Sequence, residues 1–146
     1  MRKASIIISI CSMIAVSLTL LAQAPVPAPA GGDLSPVMKQ VGPTNTALQA
    51  GFKDRSMSAA DVAKNADKLQ DLFGKVNVFM KEHKIDDATA WAADAAVAAG
   101  DLSKAAKAND FEAMKVSAAK VAKACGTCHA AHREQLPDKT FKLKTK

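Results

Sequence analysis

The chain predicts an all-α fold, an antiparallel up-down-up-down four-helix bundle, and three observations carry that prediction. Apolar residues recur at steps of three and four in four successive segments between residues 34 and 132. The breaks between segments are short, which favours antiparallel neighbours. No stretch alternates apolar and polar residues as a strand would. Composition agrees: 49% of residues are hydrophobic, many of them alanine, with five Phe, one Trp and no Tyr. An Ala-rich core lets helices pack closely, and its sparse rings leave room for a large flat ligand.

Residues 1–30 read as a secretory leader. Arg2 and Lys3 form its charged start, and Ala4 to Ala22 is apolar. A Pro/Ala segment follows with two Ala-x-Ala sites. Cleavage after Ala24 would put Pro25 first, so cleavage after Ala30, leaving Gly31, is the better expectation. Cys11 lacks the small preceding residue of a lipoprotein signal, because Ile10 stands there. The apolar run is nearly long enough to span a bilayer, so an uncleaved anchor is the alternative. Either way, residues 31–146 are expected as one exported, periplasmic domain. Membrane contact is expected only through an uncleaved leader.

The first helix is expected to start at Ser35-Pro36, with a capping hydroxyl followed by proline. Its stripe is Leu34, Val37/Met38, Val41, Asn45, Leu48 and Phe52, with Asn45 the exception. Pro43 cannot donate to the carbonyl of Lys39, so Gly42-Pro43 predicts a kink or short break. The helix should end near Gly51–Asp54. Ser58 to Asp61 resembles a capped start for a second helix over 59–82. Its stripe is Val62, Ala66, Leu69, Phe73, Val76 and Met80. His83, at its C-terminal end, reads as a surface residue. Asp86-Asp87 open the third helix, with stripe Trp91, Ala95, Ala98, Leu102 and Ala105, weakened at Gly100. Trp91 is either an ordinary core residue or a neighbour of a ligand. Asn109-Asp110 turn the chain into the fourth helix, whose stripe is Phe111, Met114, Ala118, Val121, Cys125, Cys128 and His132. Pro137 is expected to stop it, and the Lys-rich tail to be mobile.

The chemistry sits in Cys125-Gly-Thr-Cys-His129. Cys-x-x-Cys-His is the attachment signature of c-type haem. Two thiols reach the two vinyl groups on one porphyrin edge, and the next residue brings an imidazole to the iron. Cys125 and His129 are four apart and lie on one helix face. Both cysteines fall on the buried stripe, so one covalent haem c is expected inside the bundle near the end of the last helix. Two other readings compete. A thioredoxin-like dithiol would follow a strand, and here a helix precedes the motif. A zinc site would want four ligands, and adjacent Cys128 and His129 point in poorly matched directions for one tetrahedral ion. No spare cysteine remains for a disulfide once the leader is removed.

The formal charge is +6, of which Arg2 and Lys3 contribute two, leaving about +4 for residues 31–146. Two haem propionates would bring this near +2, too mild and too evenly spread to imply a nucleic-acid partner.

A single Cys-x-x-Cys-His on the last of four helices resembles cytochrome c′ and its low-spin relatives, the class II c-type cytochromes. Ordinary cytochromes c carry the motif near the N-terminus. The likeness extends over Cys125-Gly-Thr-Cys-His129-Ala-Ala-His132-Arg133 and over Val37-Met38-Lys39-Gln40-Val41-Gly42. The resemblance implies thioethers at Cys125 and Cys128 and a proximal ligand at His129. It places Arg133 near the proximal pocket or a propionate, the alternative being a solvent-exposed arginine. His132 is expected at the haem edge or surface, not on the iron.

The distal ligand decides the function. Low-spin relatives use a methionine of the first helix, and Met38 falls at that place. A soft, neutral thioether suits ferrous iron and electron transfer. The bland reading is that Met38 fills a gap in the core. The arginine that some relatives carry four residues earlier is Leu34 here. The expected function is therefore periplasmic electron transfer with redox partner proteins through a His129/Met38-ligated haem. The alternative is five-coordinate iron open to nitric oxide or carbon monoxide. A third reading is a haem-free helical module with a redox dithiol. An enzyme is not expected, since no acid/base pair or nucleophile constellation surrounds the motif. Relatives often dimerise through their first two helices, which makes a homodimer an expectation from the resemblance alone.

Overall fold

A computed structural model describes residues 33–144. The leader and the Pro/Ala segment lie outside them, as do the two cleavage sites. Four helices follow one another: α1 (Ser35–Asp54), α2 (Ala59–Glu82), α3 (Asp86–Lys107) and α4 (Phe111–His132). They form a four-helix bundle joined by connections of three or four residues, as the sequence predicts. α3 packs extensively on both α2 and α4, whereas α1 rests chiefly on α2 and only lightly on α4. Among the described residues no helix is long and apolar enough to cross a membrane.

Each helix end has a local cause. α1 begins one residue earlier than the hydroxyl cap predicts, with Leu34 in the cap position. Ser35 is its first helical residue, and its N–H donates to the Asp33 carboxylate at 2.8 Å. Nor does α1 break at Gly42-Pro43. Both residues face solvent, so water can satisfy the carbonyl of Lys39 that Pro43 leaves without a donor. The next residue, Thr44, ties its buried hydroxyl to the carbonyl of Gln40, one turn back, at 2.8 Å. The helix closes on Arg55 in the left-handed region (φ 51°), whose N–H reaches the carbonyl of Gly51. A side chain at Gly51 would put its Cβ 2.6 Å from that of Met57, so the returning chain needs glycine there.

α2 keeps the predicted bounds. Ser58 caps it by accepting from the N–H of Asp61 at 3.1 Å. The α2–α3 and α3–α4 turns share one design. Ile85 N–H bonds the Met80 carbonyl and Lys84 N–H the Lys81 carbonyl; Asp110 and Asn109 repeat the pattern on Ala105 and Ala106. Lys84 and Asn109 take the left-handed position (φ 57° and 55°) of this helix-ending motif. Asp110 then caps α4 through the N–H of Ala113 at 3.0 Å.

The core is centred on α2 and α3. Leu69, Leu72, Met80 and Leu102 are fully buried, joined by Val37 and Leu48 of α1 and Val121 of α4. The predicted stripe of α2 is buried at every position. On α1 the buried edge is Val37, Val41, Thr44 and Leu48, with Leu34, Met38 and Phe52 half-buried beside it. Asn45, the odd member of its stripe, holds a buried side-chain oxygen with no hydrogen-bond partner.

The tail departs from expectation. α4 ends at His132, before Pro137, and the chain turns into a hairpin of β1 (Arg133–Gln135) and β2 (Phe141–Leu143). Asp138 shapes the turn by accepting from the N–H and hydroxyl of Thr140. Lys139 supplies the left-handed residue (φ 66°). The hairpin folds back: Lys144 N–H donates to the carbonyl of His132 at 2.7 Å.

Candidate functional site

The end of α4 and the start of α1 share one end of the bundle. The opposite end is marked by Phe52, near the C-terminus of α1, and Phe111, at the N-terminus of α4. Their ring centroids are 6.2 Å apart. From that contact Met38 lies fourteen residues back along α1 and Cys125 fourteen residues on along α4, about 21 Å in each case. The two side chains therefore stand at one level. His129 is eighteen residues from Phe111, five full turns, so it leaves α4 in the direction of the ring that meets α1. Side chains lean toward the N-terminus of their own helix. On antiparallel helices, His129 thus leans back toward the level of Met38, and Met38 leans up toward His129.

Burial grades the motif. Cys125, Cys128 and His129 are all half-buried, with the two sulfurs packed against the apolar core. The two sulfurs are not joined to each other in a disulfide. Burial pushes both thiol pKa values up; the neighbouring Cys128 adds to the effect at Cys125 and the Asp87 carboxylate adds to it at Cys128. A redox dithiol is activated by the opposite shift, so this environment disfavours that use. The imidazole of His129 is held below its ordinary range, first by burial and then by the Arg133 guanidinium. It is neutral at pH 7, the state a metal needs in a histidine ligand.

His132 keeps its place on the inner stripe of α4 and is buried, which overturns the surface alternative. It is 3% exposed. Its Nε2 lies 2.9 Å from Oδ1 of Asp87 and its Nδ1 3.2 Å from the carbonyl oxygen of Lys144. The Trp91 ring is 5.9 Å away, centroid to centroid. An acceptor oxygen thus faces each ring nitrogen, the carboxylate on one side and the carbonyl on the other. His132 thereby joins the start of α3, the end of α4 and the returning tail. Trp91 packs on this histidine at the rim of the core. Asp87 was not singled out as a site residue by the sequence. Its signal was available: in an antiparallel pair, the first turn of α3 must meet the last turn of α4.

Arg133 is exposed on β1, with its guanidinium 4.5 Å from the centre of the Phe141 ring. It is close enough to His129 to bear on its charge, but its packing partner is the hairpin. His83 lies at the surface, as expected, stacked on Phe79 and donating from Nδ1 to the Phe79 carbonyl at 2.8 Å.

The residues fit a c-type haem by three tests. The thiols face the core at a spacing of three. The adjacent imidazole is neutral. The direction of His129 leads toward α1, the side on which α4 is least tightly packed. By contrast, among the described residues no three His, Cys, Asp or Glu side chains gather as ligands of a metal ion, so the four-ligand zinc set is not assembled there. No protein-family model, no curated protein and no solved structure matches the chain.

Proposed function

We propose that the chain is an exported c-type haem protein that transfers electrons between redox partner proteins in the periplasm. Cys125 and Cys128 would hold one haem c, with His129 and Met38 as the side chains that would bind its iron. The observation that carries this reading is the shared level of Met38 and the Cys125–His129 turn on facing antiparallel helices. The resemblance to class II c-type cytochromes points the same way. Attachment would need only the S–H of each thiol added across a vinyl group, so sulfur and hydrogen would both end on the former double bond with nothing oxidised. His129 offers its lone pair without first losing a proton, and Arg133 beside it opposes protonation. The alanines of α3 and α4 keep the walls thin. Haem supplies the one-electron couple, which none of these side chains has.

A second reading, five-coordinate iron open to small uncharged gases, is favoured by one observation. Met38 packs against the apolar core, as a space-filling side chain does.

The test is expression of the whole chain in a host that matures c-type cytochromes. Haem should stay with the polypeptide on a denaturing gel and be lost from Cys125→Ala/Cys128→Ala. The reduced protein should give a low-spin spectrum that carbon monoxide leaves unchanged, and Met38→Ala should make it gas-sensitive. A wild-type spectrum that shifts at once with carbon monoxide selects the second reading. Absence of covalent haem from matured protein sinks both.

A further inference from the structure

The outer face of α3 and α4 carries two rows of charge along an unfilled groove. The groove, of about 500 Å³, is lined from α3 by Trp91, Asp94, Val97 and Asp101, and from α4 by Lys120, Lys123 and Thr127. Steps of three and four keep each set on one side of its helix. Val116, one turn before Lys120, continues the α4 row. Val97 and Val116 are 64% and 56% exposed, the two most exposed large apolar side chains described. Among the described residues Asp94, Lys120 and Lys123 make no ion pair, and Asp101 reaches only Lys104 of its own helix, at 3.5 Å.

The Asp87–His132 contact fixes the register of these antiparallel helices. Seven residues on from it, Asp94 stands at the level of residue 125. Fourteen on, Asp101 stands at the level of residue 118. Lys123 and Lys120 are each two residues from those levels, about 3 Å. A two-fold axis lying in this face and parallel to the helices would set each α3 over the α4 of a second copy at an unchanged level. Asp94 would then meet Lys123 of the second copy, and Asp101 its Lys120, with both pairs repeated by symmetry. Val97 and Val116 of each copy would leave water in the same step.

We propose that this face is the interface of a homodimer, closed by α3 of each copy on α4 of the other. Acid opposite base at matched levels is what an isologous contact requires of one surface. Size is adequate as well. Two 22-residue helices, about 33 Å long and together about 20 Å wide, offer roughly 650 Å² per copy, near the 800 Å² per partner of a standard interface. The face looks away from α1, so the proposal does not depend on haem, and haem staining of the same samples reports on that reading separately.

The experiment measures the mass of the full chain by light scattering across a concentration series. The wild type should be a dimer that weakens with added salt. Asp94→Lys/Asp101→Lys makes both rows basic, and Lys120→Asp/Lys123→Asp makes both acidic. Each should weaken self-association by about a hundredfold through four like-charge pairs. Mixed in equal amounts, the two variants should restore the dimer as a heterodimer, because each basic row then meets an acidic one. That rescue also shows that both variants fold. A monomeric wild type, a dimer indifferent to both reversals, or two variants that stay monomeric when mixed would each overturn the proposal.

Discussion

The seam between α2 and α3 and the seam between α1 and α4 are built from different material. The first is alanine, leucine and phenylalanine, buried to within a few per cent: Leu69, Leu72, Phe73, Ala88, Ala92, Ala95, Ala99 and Leu102. Polar ties flank it, with Asn77 Nδ2 donating to the Thr89 carbonyl at 2.8 Å and Lys107 pairing with Asp67 at 3.1 Å. The second is graded. Leu34, Met38 and Phe52 on α1, and Phe111, Cys125 and His129 on α4, are all half-buried, and the helices touch lightly. Close packing leaves no space for a ligand. A half-closed seam holding sulfur and imidazole does. Stability and chemistry are thus assigned to different pairs of helices, and substitutions can separate them.

The largest effect on stability belongs to the first seam. Leu102 is fully buried on α3. Leu102→Ala should cost about 2–5 kcal/mol, since the lost side chain leaves a cavity that stiff neighbouring helices cannot fill. Urea unfolding measures this, and the optical spectrum of the surviving folded protein should not change. A spectral change would show that the seams are coupled.

His132→Ala comes next, at about 1–3 kcal/mol. It removes both ring contacts, so the Asp87 carboxylate loses one of its partners and the tail is held at Lys144 by its backbone bond alone. Hydrogen exchange should then speed up in residues 133–144 while the amides of α2 stay protected. Equal loosening of α2 would mean that this histidine supports the whole bundle.

A smaller effect depends on pH. The folded pKa of His129 lies below the ordinary value of 6.5. Between those two values the unfolded chain holds a proton that the folded one lacks. Stability of the haem-free protein from this group is therefore complete above 6.5 and falls as pH drops through 6.5 toward the folded value. His129→Gln should flatten the slope of urea midpoint against pH in that window. An unchanged slope would place its source elsewhere.

These contrasts also explain what could be read from residues alone. α2 was legible to its ends because Ser58, Asp61 and the apolar steps from Val62 to Met80 agree. Lys84 was not, because a left-handed lysine is imposed by the backbone bonds of Ile85 and Lys84 and not by its own preference. Pro43 does not interrupt α1 as a short break would, because it and Gly42 face solvent, where water can take the bond that Pro43 cannot make to the carbonyl of Lys39. The hairpin was missed because three-residue strands have no period to detect, although Pro137-Asp138 beside Phe141-Lys142-Leu143 marks a turn. At the site, the spacing of Cys125, Cys128 and His129 was plain, whereas the burial of His132 depends on Asp87, 45 residues away in sequence.

The sharpest separation of the two seams should come from the smallest change in stability. Met38→Leu keeps the volume and apolar character of the side chain, so it should cost less than about 1.5 kcal/mol, and less again because Met38 is only half-buried. It removes one atom of consequence, the thioether sulfur. If that sulfur binds iron, the reduced haem protein should pass from low spin to high spin and become sensitive to carbon monoxide, with its urea midpoint almost unmoved. The midpoint and the spectrum thus report on different roles of one residue. A midpoint that falls sharply beside an unmoved spectrum would make Met38 part of the core, as Leu102 is, and the second seam would then have no distal ligand at this level.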